Sequence, residues 1–195
     1  DLHPRVRRQR QMCIRDRIQA LKAMNRYPEA IVDLTSLFVK DTTDTKILID
    51  LAECYKLMGS PRQAADYYRK AVSLRPNNKF FRLQYIRSLL NAENFKEARD
   101  ACHGWLEQDT VSATGYKYLG QAYEGMQDIP NAFFSYNVAY RRDSLDAQTV
   151  ARIANIFNNN RQFTDAIDVT ECYRLSDTTS VDVNRQNANC LLYTS

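Results

Sequence analysis

The side chains that could do chemistry are few in this sequence, and they stand apart from one another. His103 lies in the stretch DACHGWLEQ without the serine and aspartate partners of a hydrolase triad. Cys54, Cys102 and Cys172 are widely spaced and form neither a CxxC pair nor a cluster with histidine of the kind that holds zinc. The sequence also lacks a glycine-rich phosphate loop, an HExxH motif and a GxSxG motif. We therefore expect no catalytic residue, no cofactor and no metal site.

The first residues of the chain are rich in arginine and suggest a different kind of chemistry. Six arginines and two aspartates lie in residues 1–17, within which the stretch RRQRQMCIRDR is typical of nucleic-acid binding or targeting segments. The codons for residues 7–17 can, however, be written as the adapter of transposase-based sequencing libraries. Residues 190–195, CLLYTS, can be written TGT CTC TTA TAC ACA TCT, which is the reverse complement of AGATGTGTATAAGAGACA, a part of that adapter. We interpret residues 1–17 and 190–195 as non-native adapter-like segments, with a genuine basic arm as the alternative.

This interpretation changes the charge of the protein. The whole chain has 27 basic and 23 acidic residues, of which six and two lie in residues 1–17 and none in residues 190–195, so residues 18–189 carry 21 of each. A segment without net charge has no long-range field that would attract nucleic acid or an anionic lipid surface. No apolar run approaches the ~20 residues that a membrane span needs. We expect no nucleic-acid binding and no membrane insertion by this segment.

The elements that must position any binding residues repeat every 34 residues. The stretch LAECYKLMGSPRQAADYYRKA begins at Leu51, and similar stretches begin at Tyr85, Leu119 and Ile153. The chain has only 5 Gly and 5 Pro, which is low for an all-β fold with many turns, so the repeating elements are predicted to be helices. Pairs of residues that are typical of helix ends recur with the same period. These pairs are Asp41-Thr42, Arg75-Pro76, Asp109-Thr110, Asp143-Ser144 and Asp177-Thr178.

The repeat resembles the tetratricopeptide repeat, in which a small residue after Leu is followed by an aromatic residue, an Ala, an aromatic residue, an Ala and a Pro. The resemblance implies an all-α fold, a right-handed superhelical solenoid of antiparallel helix pairs. Small residues would let the paired helices approach closely, and aromatic residues would fill the space between one pair and the next. The residues in register are Leu51, Ala52, Tyr55, Ala64, Tyr68, Ala71, Pro76, Ala98, Leu119, Gly120, Tyr123, Ala132, Tyr136, Ala139, Ala154 and Ala166.

The period also divides the chain. We expect a solenoid over residues 18–189, between the two adapter-like segments. Its predicted parts are a partial repeat at 18–44, full repeats at 45–78, 79–112, 113–146 and 147–180, and a partial repeat at 181–189.

The resemblance implies a protein-interaction scaffold that is not an enzyme, because in this family the first helices of successive repeats line a concave groove for a peptide or a partner helix. Four of the residues that we map onto this groove are cations, and they suggest a preference for acidic or polar extended segments. The alternative is that these charges pair with neighbours such as Glu124. A clamp for chaperone tails is not expected, because Gln121 and Arg152 replace its asparagines. The mapped residues are Arg87, Lys117, Tyr118, Gln121, Arg152, Asn155 and Arg185.

Two other functions stay open from the sequence. The segment is an accessory repeat domain if a longer parent protein is an enzyme or a sensor whose catalytic part lies elsewhere. It is a self-associating module if its uncapped apolar ends stack end to end, as cut solenoids tend to do. The partner is a protein or a peptide in the main interpretation, and the compartment is open between cytoplasm and periplasm.

Overall fold

The computed structural model describes residues 4–194, with side chains described from Met12 to Leu192. The described part of the chain is entirely helical, with short turns between helices, and the all-α prediction is confirmed. None of the helices in this range is both long and apolar enough to cross a bilayer. The helices are α1 (Pro4–Ala23), α2 (Tyr27–Phe38), α3 (Thr45–Leu57), α4 (Pro61–Leu74), α5 (Lys79–Asn91), α6 (Phe95–Leu106), α7 (Ala113–Gly125), α8 (Ile129–Arg142), α9 (Ala147–Asn159), α10 (Phe163–Arg174) and α11 (Val181–Thr194).

Every second helix begins at the same point of the 34-residue period, because a capping side chain precedes it. The helices α3, α5, α7, α9 and α11 follow a residue whose side-chain oxygen accepts a hydrogen bond from a backbone N–H of the first turn. Such a bond satisfies one of the donors that a helix start leaves free. The capping residues are Asp44, Asn78, Ser112, Asp146 and Ser180.

The turn between the two helices of each hairpin also repeats. One residue in each such turn has a left-handed backbone, with φ between 57° and 72°. Only Gly59 adopts this conformation without a steric penalty, and each of the other four carries a side chain that disfavours it. The positions are Asn25, Gly59, Glu93, Gln127 and Arg161.

The turns that join one hairpin to the next contain aspartates that stabilise them. The Asp41 carboxylate accepts hydrogen bonds from the Thr43 backbone N–H at 3.0 Å and from its hydroxyl at 2.8 Å. Asp177 and Thr179 repeat this arrangement, at 2.8 Å and 2.7 Å. These are Asx turns, in which a side chain takes the place of a backbone acceptor.

The chain divides into two compact units, Asp1–Asn94 with α1 to α5 and Phe95–Ser195 with α6 to α11. In the first unit, Leu51 belongs to a core contributed by α1, α2 and α3. Ala52, Ala64 and Tyr68 form a second cluster between α3 and α4, and all three are fully buried. Small residues at this seam therefore bring the two helices close together, with an aromatic ring filling the space beside them.

The second unit repeats this packing. The Tyr136 ring on α8 lies so close to Gly120 on α7 that a Cβ placed on the glycine would be 2.6 Å from the ring. Ala132 and Tyr136 pack with Ile153 and Ile156 of α9, which joins one hairpin to the next. A side chain at position 120 would therefore force the Tyr136 ring to shift within a packed interior.

The residues in register with the repeat pattern are mostly interior. Thirteen of the sixteen are buried, Tyr55 and Tyr123 are half-buried, and Pro76 is exposed in the turn after α4. Tyr55 stacks on Tyr67 of α4, with ring centroids 5.5 Å apart. Burial is expected of residues that pack helices together. None of the thirteen buried residues is accessible to a ligand.

Both adapter-like segments continue into helices of the fold. The helix α1 crosses the boundary after residue 17, and α11 crosses the boundary after residue 189. Cys190 is buried against Ala154 and Ala166. Residues 1–3 and 195 lie outside the described residues. The non-native origin of residues 1–17 and 190–195 stays a prediction.

Candidate functional site

The residues predicted to line a groove all lie on the first helices of the hairpins. Arg87 is on α5 in the first unit and is exposed. The other six lie on α7, α9 and α11 in the second unit. We call the polar surface of α7, α9 and α11 the first-helix face, and each helix is positioned on it by its N-terminal cap and its buried opposite side.

Neighbouring first helices are joined by side-chain pairs that are 28 residues apart in sequence, which we call rungs. In the second unit, the Arg152 guanidinium donates to the Glu124 carboxylate at 2.7 Å. The Asn158 carboxamide donates to the Gln186 side-chain oxygen at 3.0 Å. The rungs link α7 to α9 and α9 to α11 through their side chains.

The same rung occurs in the first unit with its charges reversed. The Lys22 ammonium on α1 donates to Asp50 of α3 at 2.6 Å and to Glu53 at 3.2 Å. Burial alone would lower the pKa of Lys22, but the two carboxylates outweigh it and raise the pKa. The rung geometry is therefore shared, whereas its chemistry differs from one hairpin to the next.

The Glu124 carboxylate connects three helices of the second unit. It accepts hydrogen bonds from Arg152 of α9 and, at 2.6 Å, from the Tyr136 hydroxyl of α8. Burial raises the pKa of Tyr136, and the Glu124 carboxylate raises it further. A charged acceptor makes this hydrogen bond stronger than a neutral one.

Lys117 forms a second link between α7 and α9. Its ammonium donates to the Asp146 carboxylate at 3.0 Å and lies 5.5 Å from the centre of the Tyr118 ring. Burial would raise the pKa of Asp146, but hydrogen bonds from Thr149 and Lys117 outweigh it and lower the pKa. Asp146 therefore caps α9 and binds α7 through the same carboxylate.

The cations of the first-helix face are consequently not free charges. Lys117 and Arg152 have the partners described above, and Arg185 pairs with Asp182 on its own helix at 3.1 Å. Arg185 and Asp182 are about two-thirds exposed, so their pair contributes little to stability. Lys117, Arg152 and Arg185 therefore each have a carboxylate partner, as the alternative interpretation expects. The preference for acidic or polar segments stays a prediction.

Asn155 lies in a cleft that the sequence did not single out. The cleft has a volume of about 920 Å³ and lies between α9 and α11. Four other carboxamide side chains line it together with Arg161, Phe163 and Leu192, of which Leu192 belongs to the adapter-like segment 190–195. The sequence feature that could have indicated this cleft is the 28-residue spacing between Asn158 and Gln186. The tetratricopeptide pattern does not contain this pair. The carboxamide residues are Asn155, Asn158, Asn159, Gln186 and Asn189.

Two further features carry no functional assignment. His103 is exposed, and its Nε2 atom lies 3.2 Å from the Tyr123 hydroxyl. A cavity of about 260 Å³ beside α1 and α3 is lined partly by Met12, Arg15 and Asp16, which belong to an adapter-like segment. Across the described side chains, no three His, Cys, Asp or Glu residues are grouped as a metal site requires.

Comparison with known proteins places the fold. Residues 45–78 match the family model of the tetratricopeptide repeat. The structure of MamA 41-end from Desulfovibrio magneticus RS-1 is similar with a TM-score of 0.69 and 19% identity, over 86% of this chain and 97% of that one. TTC0263, a thermophilic TPR protein from Thermus thermophilus, is similar with a TM-score of 0.65 and 13% identity, over 93% and 99%. No curated protein sequence matches.

The fold is therefore a tetratricopeptide-repeat solenoid, as the 34-residue pattern predicted. This is the architecture of a protein-interaction scaffold, in which stacked helical hairpins present an extended surface. At these identities the likeness to solved structures establishes the fold and nothing finer.

Proposed function

We propose that this chain binds an extended peptide segment or a helix of a partner protein along its first-helix face. The observation that carries the proposal is the set of rungs, because they link the side chains of α7, α9 and α11. A surface whose side chains are held in place loses little conformational entropy when a partner binds. The buried seam residues on the opposite sides of these helices are not available for contact.

The proposal can be tested with two aromatic residues of one hairpin. Tyr118 lies on the first helix α7, on the proposed face, and Phe134 lies on the second helix α8 with 65% of its surface exposed. Peptides would be selected from a random display library against the full chain, and their affinities measured for Tyr118→Ala and Phe134→Ala by fluorescence anisotropy.

We expect Tyr118→Ala to weaken binding by about tenfold, since aromatic residues dominate binding energy where they are contacted. Phe134→Ala is expected to change it by less than about twofold, because an uncontacted residue contributes nothing to the interface. Peptides that respond to Phe134→Ala and ignore Tyr118→Ala would place binding on the second helices and refute the proposal. Failure to select any peptide would also refute it.

A further inference from the structure

The second helices of the first unit carry a pair of aromatic rings that the first-helix face does not include. Phe38 of α2 and Tyr67 of α4 have ring centroids 6.3 Å apart, and their ring planes meet at 84°. Perpendicular rings of this kind are a favourable aromatic arrangement, and they form the two walls of a corner. We call Phe38 and Tyr67 the aromatic corner.

The aromatic corner is held in place by the core beneath it. Both rings are half-buried and pack against the cluster of Leu48, Ala71 and Phe81. Tyr55 of α3 stacks on the Tyr67 ring with an interplanar angle of 10°. Rings that are fixed in this way do not need to reorganise when a ligand enters the corner, which favours binding.

A cation of the chain itself already occupies the aromatic corner. The Lys70 ammonium lies 5.4 Å from the centre of the Phe38 ring and 5.1 Å from the centre of the Tyr67 ring. Both distances are within the ~6 Å over which an aromatic face attracts a cation. Among the described residues Lys70 has no carboxylate partner, since the nearby Asp66 pairs with Arg69 at 2.9 Å. The two rings are therefore what holds the Lys70 ammonium.

The corner suits a quaternary ammonium better than it suits its own lysine. An ammonium carries three N–H donors, which lose hydrogen bonds to water beside ring faces that offer no strong acceptor. A quaternary ammonium keeps the positive charge but has no N–H group to desolvate. Lys70 is exposed, so its side chain can move into solvent and regain the rotamer freedom that the contact restricts.

We propose that the aromatic corner of Phe38 and Tyr67 binds the trimethylammonium group of a choline-type compound, which displaces the Lys70 ammonium from the rings. The site lies on α2 and α4, so the inference goes beyond the binding proposed for the first-helix face. Attraction between a quaternary ammonium and aromatic faces supplies the affinity, and Lys70 lowers it by competition. The group is carried either by free choline or by the headgroup of phosphatidylcholine, and the experiment separates these two sources.

The full chain and its Lys70→Ala variant would be titrated with choline chloride at constant ionic strength. The readout is the trimethyl proton resonance of choline in the NMR spectrum, which ring currents move upfield when the group contacts the faces of the rings. The control ligand is 3,3-dimethylbutan-1-ol, which has the shape of choline without its charge. Two further variants in the Lys70→Ala background are Phe38→Leu and, as the matched control, Phe134→Leu, which removes an exposed ring on α8.

We expect Lys70→Ala to bind choline with a dissociation constant on the order of 1–10 mM, as two cation–π contacts imply. The natural chain should bind about tenfold more weakly, and the uncharged alcohol at least about fivefold more weakly than choline. Phe38→Leu should weaken binding by about fivefold, whereas Phe134→Leu should change it by less than about twofold.

Three results would overturn the inference. They are equal affinity for choline and the uncharged alcohol, equal affinity of the natural chain and Lys70→Ala, and a choline resonance that does not move upfield with Lys70→Ala. All three comparisons use only the natural chain and Lys70→Ala, so they decide the matter even if Phe38→Leu fails to fold.

Cosedimentation of Lys70→Ala with phosphatidylcholine vesicles identifies the source of the group. Vesicle binding that choline competes away supports the lipid headgroup, and binding of choline without binding of vesicles supports a soluble compound. Vesicle binding that choline leaves unchanged, in a chain that does not bind choline, would overturn the inference. Because Tyr118 lies in the second unit, peptide selection at that residue tests the proposed function independently of every outcome at the aromatic corner.

Discussion

Two glycines in the second unit should respond differently to alanine. Gly120 lies on α7 against the Tyr136 ring, where a Cβ would be 2.6 Å from two ring carbons. Gly104 lies on α6, where a Cβ would meet no atom within 4 Å. The Tyr136 ring cannot move aside easily, because it is fully buried and its hydroxyl is bonded to Glu124. We therefore predict that Gly104→Ala stabilises the protein, whereas Gly120→Ala leaves its stability unchanged or lowers it.

The magnitude follows from two contributions. Both substitutions gain about 1 kcal/mol, because alanine favours a helix over glycine. Only Gly120→Ala also forces an extra methyl group into a packed interior, which costs roughly 1–3 kcal/mol. The difference between the two variants isolates this steric contribution, and we expect Gly104→Ala to be about 1–3 kcal/mol more stable than Gly120→Ala.

The assay is thermal and urea unfolding followed by circular dichroism. A change of 1 kcal/mol shifts the melting temperature by about 2–4 °C in a chain of this size, so the two variants should be separated by several degrees. Adding Tyr136→Ala to Gly120→Ala should remove the steric contribution, which a double-mutant cycle would detect. Equal stabilisation by both alanines would refute the close approach of α7 and α8 at Gly120.

The remaining predictions concern polar groups in the interior. The Tyr68 hydroxyl is buried without a hydrogen-bond partner in the described structure, whereas the Tyr136 hydroxyl donates to a carboxylate. We therefore expect Tyr68→Phe to leave the stability unchanged or raise it. Tyr136→Phe should lower the stability by about 1.5–3 kcal/mol, as measured by urea unfolding. Asn187 is 2% exposed, and neither polar atom of its side chain has a partner among the described residues, so Asn187→Leu should raise the melting temperature by an amount corresponding to about 1–3 kcal/mol. The pKa of Asp146 is lowered from its ordinary value of 3.8, so its contribution is complete above that pH and is lost as the pH falls through the folded-state pKa. Unfolding measured between about pH 5 and pH 3 should therefore show a smaller loss of stability in Asp146→Asn than in the natural chain; an equal loss would show that this carboxylate has no role in acid sensitivity.

The 34-residue period made the fold predictable, because each feature that recurs has a local physical cause. Asp44, Asn78 and Ser112 are capping residue types, and each stands directly before a helix start. Small residues such as Ala64 and Ala132 mark helix seams wherever they occur in this pattern. Local capping and close packing together specify a hairpin, and repetition of the hairpin specifies the solenoid.

The left-handed turns were only partly visible in the sequence. Gly59 marks its turn, because glycine is the residue that adopts positive φ most readily. Glu93, Gln127 and Arg161 adopt the same conformation without any sign of it in their residue type. Their backbone is imposed by the two helices that each turn must connect, which is a tertiary constraint.

The candidate site was less predictable than the fold. The resemblance named the helices that carry it, but the partner of each cation depends on which residue of the next hairpin lies opposite. Lys117 meets Asp146 and Arg152 meets Glu124, and this pairing turns a row of apparent free charges into internal contacts. The cleft at Asn155 and Asn189 likewise forms only when α9 and α11 pack side by side.

The central claim is that the 34-residue hairpin is the unit of this structure, and two deletions test it directly. Removal of residues 113–146 takes out one hairpin, α7 with α8, and joins Ser112 to Ala147, so that a capping residue again precedes a first helix. Removal of residues 130–146 takes out α8 almost alone and leaves the seam of α7 uncovered. Circular dichroism at 222 nm during heating should show unchanged helicity per residue and one cooperative transition for the first deletion, and lost helicity or a broad transition for the second. Equal behaviour of the two deletions, or collapse of the 34-residue deletion alone, would contradict the claim.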